Sequence, residues 1–260
     1  GPYFRGFKEY EQTYIGYIKT DIDNSRTLVD IHDIVSFIYG YSKTNISIDF
    51  LTQEPTSTPT VTQGTGNVYC AYPGGLTPQE MEANARYIYN YFIGRGWSPE
   101  AICGMLGNMQ RESGINPGLW EVRDNVNRGY GLVQWTPART KFLDWMGFTE
   151  EKTMADLANE MATKNPKQLM DKQLQYLVQD LQPSARQWGD FGDKLEGRGF
   201  DYMSIAEFSK STMSPGDLAL VFEAMYERSA DPEGGEELRE RVEFAKAWYN
   251  KIVIVKGETN

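Results

Sequence analysis

A chain of 260 residues with 40% hydrophobic content has room for one large domain, or for a medium domain with an appendage, and can bury a sizeable core. Its formal net charge of −10 argues against binding nucleic acid through a broad basic surface, and the chain shows neither an apolar run of about eighteen residues nor a signal-peptide pattern, so no membrane insertion is expected. With His32 as its single histidine and Cys70 and Cys103 as its two cysteines, it cannot build a multi-histidine zinc site, and a nucleophile–histidine pair would have to recruit His32. Neither a metal nor a cofactor is expected.

The opening Gly1-Pro2 reads like a scar of protease cleavage, so the chain is expected to be a piece of a longer polypeptide. Leu28, Ile31, Ile34, Val35 and Ile38 fit an amphipathic helix, and Ile46, Ile48 and Phe50 alternate like a short strand. Residues 1–51 are therefore read as a small α/β accessory segment, marginal as an independent core and suited to packing on other proteins or on the rest of the chain. Residues 52–74, rich in Thr, Pro and Gly, are read as a flexible linker.

From residue 75 to 253 the signals are helical. Thr77, Pro78 and Glu80 form an N-cap, a first-turn proline and a capping-box acid ahead of Met81, Ala85, Ile88, Tyr89 and Phe92. Ser98 and Pro99 open a second helix that Gly114 should stop. Its apolar face, Ile102, Met105, Leu106 and Met109, leads by one further step to Glu112. Between Ser113 and Trp135 the period fails, as expected of an irregular segment or a small β-hairpin. Further helices are predicted after Thr136-Pro137; around Met154, Leu157 and Met161; around Leu174, Leu177, Val178 and Leu181; after Ser214-Pro215; and through Leu238, Val242, Ala245, Trp248 and Ile252, before a tail at 254–260. A disulfide between Cys70 and Cys103 is left open by the sequence.

Glu112 is the most informative residue. A carboxyl group at the end of a buried stripe, at the negative end of a helix dipole, should be disfavoured in its ionised form, which suits a general acid. The alternative is a solvent-facing glutamate paired with Arg111 or Arg139. The acid-and-arginine run from Glu233 to Glu243 reads as an exposed face with helix-stabilising pairs. The Tyr226-Glu227 pair could approach the site but is not counted among its residues.

The stretch Asn108-Met109-Gln110-Arg111-Glu112-Ser113-Gly114-Ile115-Asn116-Pro117, with Gly129-Tyr130-Gly131-Leu132-Val133-Gln134-Trp135, resembles the phage-tail lysozyme family over about residues 75–253. It is also similar to the pattern of goose-type lysozymes and lytic transglycosylases. The resemblance implies a mainly α, lysozyme-like fold (α+β) with a small β element beside a sugar-binding cleft. It implies action on the glycan strands of peptidoglycan, at the β-1,4 bond after N-acetylmuramic acid, with Glu112 as catalytic acid and Gln134 in the strip lining the cleft. The setting it implies is a virion tail tip or the cell-envelope face, with tail or envelope-assembly proteins as partners; a conjugation machine is the alternative. Hydrolysis usually requires a second carboxylate, for which Glu121 and Asp124 are the candidates; with neither, a lytic transglycosylase mechanism applies. Trp120, Tyr130 and Trp135 are candidates to pack on sugar rings, and Asn108, Asn116 and Gln134 to hydrogen-bond N-acetyl groups. A wall-binding module without turnover is the non-enzymatic reading.

Overall fold

The computed structural model describes residues 66–71, 74–191, 194–229 and 235–254. The accessory segment, His32, most of the linker and residues 255–260 lie outside the described residues. The described part is mainly helical: α1 (Pro78–Ile93), α2 (Pro99–Ser113), α3 (Glu151–Lys164), α4 (Pro166–Asp180), the short α5 (Lys194–Gly197) and α6 (Ile205–Lys210), α7 (Pro215–Phe222) and α8 (Glu236–Tyr249). Widened π turns stand at Arg139–Leu143, at Glu223–Glu227 directly after α7, and at Asn250–Ile254 directly after α8.

Local chemistry sets the helix ends. Thr77 and Glu80 form the reciprocal capping box that opens α1, and Ser98 accepts from the Ala101 N–H to open α2, each removing an orphan donor of the first turn. Gly114 ends α2 in the left-handed region, φ 60°. Ser214 caps α7 and Ser204 caps α6 in the same way. The helix predicted after Thr136-Pro137 takes the form of the π turn Arg139–Leu143, with Phe142 and Leu143 buried. The buried stripe of α3 is Met154, Ala158 and Ala162, while the predicted stripe residue Leu157 is exposed.

The sequence predicts one buried face for α2, but the helix is enclosed on all sides from Ala101 to Met109. α7 and α8 pack on it most extensively, and on each other. Two glycines permit this. A Cβ on Gly104 would lie 2.9 Å from the Leu218 backbone, and one on Gly107 would lie 2.9 Å from Ala245 and against the Arg241 carbonyl oxygen. The helix backbones meet where a side chain would have kept them apart.

The β element consists of two isolated antiparallel bridges, Trp120 with Tyr130 and Tyr130 with Trp135. The segment is held mainly by side chains. Gln173 of α4 accepts from the Leu132 N–H at 2.9 Å and donates to the Pro117 carbonyl at 2.7 Å, and Ser113 donates to the Leu132 carbonyl at 2.9 Å. The end of the expected linker is fixed to the domain. Val68 is buried, Asn84 exchanges hydrogen bonds with the Tyr69 backbone at 2.8 Å each way, and Asn116 does the same for Ala71. Cys70 and Cys103 are free thiols, each pushed up to about 12 chiefly by burial, which leaves them little thiolate for reaction.

Gly107→Ala should therefore destabilise the fold by roughly 1–3 kcal/mol through overpacking, outweighing the better helix propensity of alanine, because the atoms in the way belong to the α8 backbone. Urea denaturation of the variant against the parent measures this, and equal midpoints would contradict the close-approach argument.

Candidate active site

A cavity of about 710 Å³ opens beside the C-terminal end of α2. Glu112 lines it, as do Glu121, Gln134, Trp120 and Trp135 from the irregular segment, Asp180 at the end of α4, Tyr226 and Glu227 from the π turn after α7, and Arg241 from α8. Four of the residues singled out beside Glu112 thus reach one wall or another of the same space.

Glu112 is not the isolated carboxyl expected at a stripe end. Its side chain is 22% exposed and accepts from Arg241 Nη2 at 2.5 Å. Arg241, itself 1% exposed, donates through Nη1 to Asn108 Oδ1 at 2.8 Å. Asn108 and Glu112 stand four residues apart, on one face of α2, and a single guanidinium clasps both. Asn108 Nδ2 continues to the Ala219 carbonyl of α7 at 2.9 Å, so this buried amide joins three helices and is not a sugar contact. Arg111, one of the predicted partners of Glu112, pairs with Glu237 and Glu240 of α8, and the other, Arg139, pairs with Glu151 at 2.7 Å.

Glu121 reaches the cavity as an ionised group. The Gly129 N–H donates to it at 2.9 Å and Arg128 forms an ion pair with it; the backbone hydrogen bond first, with help from Arg128, holds its carboxyl below the usual range. Asp124 does not line the cavity. It is exposed, accepts from Asn159 Nδ2 at 2.8 Å and borders a separate, open depression with Glu150 and Glu151.

Gln134 adopts φ 50°, and its Nε2 donates to the Gly131 carbonyl at 2.9 Å and to that of Leu119 at 3.2 Å. A Cβ on Gly129 would come within 2.7 Å of Gln134 Oε1, so glycine there makes the room this side chain needs. Trp120 and Trp135 line the cavity but are only 6% and 5% exposed, because they also anchor the core. Trp120 lies on Tyr130 with centroids 4.2 Å apart and donates to Asn159 at 2.8 Å; Trp135 stacks on Phe142 at 5.3 Å. Tyr130 is fully buried and does not line the cavity. Nor does Asn116, whose amide is engaged by Ala71 and Gly118.

Two cavity residues that sequence reasoning left out are Arg241 and Glu227. Glu227 Oε1 is sealed from solvent and has no hydrogen-bond partner; burial, and then the charge of Glu112, hold this carboxyl well above the ordinary range against the pull of Arg241. Behind it, Trp135 Nε1 donates to Tyr226 OH at 2.9 Å, and Tyr226 OH donates to Asp180 Oδ2 at 2.7 Å. That chain ties the irregular segment to the π turn and to α4. Among the described residues, no cluster of His, Cys, Asp and Glu is arranged to hold a metal ion.

A family model described as phage tail lysozyme matches residues 83–252. A relative, Morphogenesis protein 1 of Bacillus phage B103, is 41% identical over 186 residues, which cover 71% of this chain and 43% of the relative. The chain thus spans less than half the length of that protein.

The Trp135–Tyr226–Asp180 chain yields a stability test. Tyr226→Phe strands the Trp135 N–H and one Asp180 oxygen in a buried place and should lower stability by about 1–3 kcal/mol, read as a shift of the urea midpoint. An unshifted midpoint would mean that the tyrosine hydroxyl does not brace this wall.

Proposed function

The chain belongs to the phage tail lysozyme family, and we propose that it hydrolyses the glycan strands of bacterial peptidoglycan at the β-1,4 bond between N-acetylmuramic acid and N-acetylglucosamine. The observation that carries this reading is the meeting of Glu112 and Glu121 at one cavity of a size that accepts sugar rings. Glycoside cleavage divides the work between a carboxyl that gives a proton to the leaving oxygen and a carboxylate that stays ionised. Glu112 takes the first role. Glu121, kept ionised by the Gly129 N–H and Arg128, takes the second, as nucleophile or as the base that activates water, and stabilises positive charge developing on the sugar ring. Gln134 offers a hydrogen-bonding amide at the cleft, and the partly covered indoles of Trp120 and Trp135 supply flat apolar edges for the rings. Asp124, on the separate depression, has no part in the reaction.

The setting is a virion tail tip, where the domain opens the wall locally and residues 1–51 engage neighbouring tail proteins. An enzyme held at the wall by its assembly has no need of the strong positive charge that steers a freely diffusing one to an anionic surface, which accords with a net charge of −10.

Glu112→Gln should slow the clearing of purified cell walls by roughly 10²–10⁴-fold, the usual range for a lost general acid, while sedimentation with the walls persists. Retained clearing would refute the assignment of Glu112, and a parent protein that binds walls without releasing fragments would leave only a wall-binding module. Mass spectrometry of the released muropeptides should show reducing N-acetylmuramic acid ends; anhydro ends would instead identify a lytic transglycosylase.

A further inference from the structure

Resting on the reading of this cavity as a glycoside-cleaving site, we propose that Glu227 stores the proton that Glu112 delivers, the two carboxyl groups sharing one proton in the resting enzyme. A carboxylate with one oxygen bound to a guanidinium needs a proton source beside it. Glu227 lines the same cavity as Glu112 and Arg241, and its Oε1 is shut off from solvent without any hydrogen-bond donor. The charged groups that face it are Glu112 from α2, Arg241 from α8, and Glu223 and Arg228 from its own segment. Their hydrogen bonds and ion pairs go to groups other than Glu227, and among their donors only the buried Nε of Arg241 is left without a partner. The Nη atoms of Arg241 serve Asn108 and Glu112, Arg228 donates to the carbonyls of Gln187 and Met225, and Glu223 is held by Arg198 and Ser229.

The contrast with Glu223 shows what is unusual. Both are acids of one π turn, Glu223 fully buried and Glu227 half-buried with its Oε1 sealed from solvent. Burial works against the charge of Glu223, but the Ser229 donors, Arg198 and Lys194 outweigh it and keep that carboxyl below its ordinary range. No such donors serve Glu227, and a carboxyl with one oxygen sealed from water and unpaired retains its proton rather than bear an uncompensated charge. In the reaction the proton passes by way of Glu112 to the glycosidic oxygen, and the bond from that oxygen to the sugar carbon breaks with its electron pair going to the oxygen. Water completes the hydrolysis: its hydroxyl joins the sugar carbon and its proton returns, directly or by way of Glu121, to the Glu112–Glu227 pair. Glu227 acts through Glu112 and is a positioning residue for the proton.

The first test needs no substrate. A carboxyl whose folded pKa lies above its unfolded value of about 4.3 contributes stability that is complete below that value and is lost as pH rises through the folded one. Urea unfolding of the parent from acid to neutral pH should show that loss, and Glu227→Gln should remove one proton's worth of the slope. Identical slopes would overturn the proposal whether or not the protein cuts cell walls. Carbon-13 NMR of glutamate carboxyls in the parent covers the case of a variant that does not fold: a carboxyl still protonated at neutral pH is expected, and its absence refutes the storage role. The second test is the pH profile of wall clearing. If Glu227 supplies the proton, Glu227→Gln should move the alkaline limb down by about one pH unit or more and cut the rate at neutral pH at least about tenfold, whereas Glu227→Asp, which keeps a titratable group, restores the limb. A limb unmoved in Glu227→Gln would overturn the proposal. A Glu112→Gln variant that still clears walls would refute the catalytic reading while leaving the stability slope intact.

Discussion

The insertion of Arg241 between α2 and α8 is the constraint on which the rest of the site depends. A guanidinium that is 1% exposed is tolerable only if its charge is compensated. Glu112 meets the charge and Asn108 one of the donors, and both sit on α2 because residues four apart share a face. The contact further requires α8 to lie close enough for its backbone to touch α2, which Gly107 permits. Packing of the central helix and placement of the candidate acid are thus one problem with one solution. A larger residue at position 107 would move the arginine, and with it the carboxylate.

The parts of the fold legible in the sequence were those governed by local chemistry. Thr77 with Glu80, Ser98 with Pro99, and Ser214 with Pro215 act within a single turn, so the helix starts they mark can be read from neighbouring residues. α5 and α6, four and six residues long, are too short for an apolar period to show. The β element reduces to two bridges because Gln173, from a helix some forty residues away in sequence, supplies bonds that a strand ladder would otherwise provide. No local pattern announces such a partner.

The site divides in the same way. Glu112 lay on a helical count from Met109, and Gln134 and Glu121 lay in the segment where that count failed. Arg241 was hidden in a run of acids and arginines that reads as a solvated face. Its signal was its register: it follows Leu238 by three residues and precedes Ala245 by four, both of which are buried, so the buried stripe of α8 passes through it. Glu227 had no such signal, because the π turn adds a residue to the turn and breaks the 3.6-residue count that would have placed it. Asn108 and Asn116 misled in the opposite sense. Their hydrogen-bonding capacity is the same whether it serves a ligand or the protein itself; Asn116 spends it on backbone, and Asn108 on backbone and on Arg241.

Charge around the cavity shows how an acidic chain can keep a cavity that is not itself strongly acidic. Four basic side chains line it, Arg111, Lys141, Arg228 and Arg241, against five acids, Glu112, Glu121, Asp180, Glu227 and Glu237. With Glu227 protonated, as proposed, the two sets balance, and the lining is neutral within a chain whose net charge is −10. The excess negative charge therefore lies outside the cleft, where salt screens it beyond about 8–10 Å. Ionising Glu227 would add one negative charge to a lining that already holds Glu112. The neutrality of the lining and a proton held on Glu227 thus go together, because the Nη atoms of Arg241 are spent on Asn108 and Glu112.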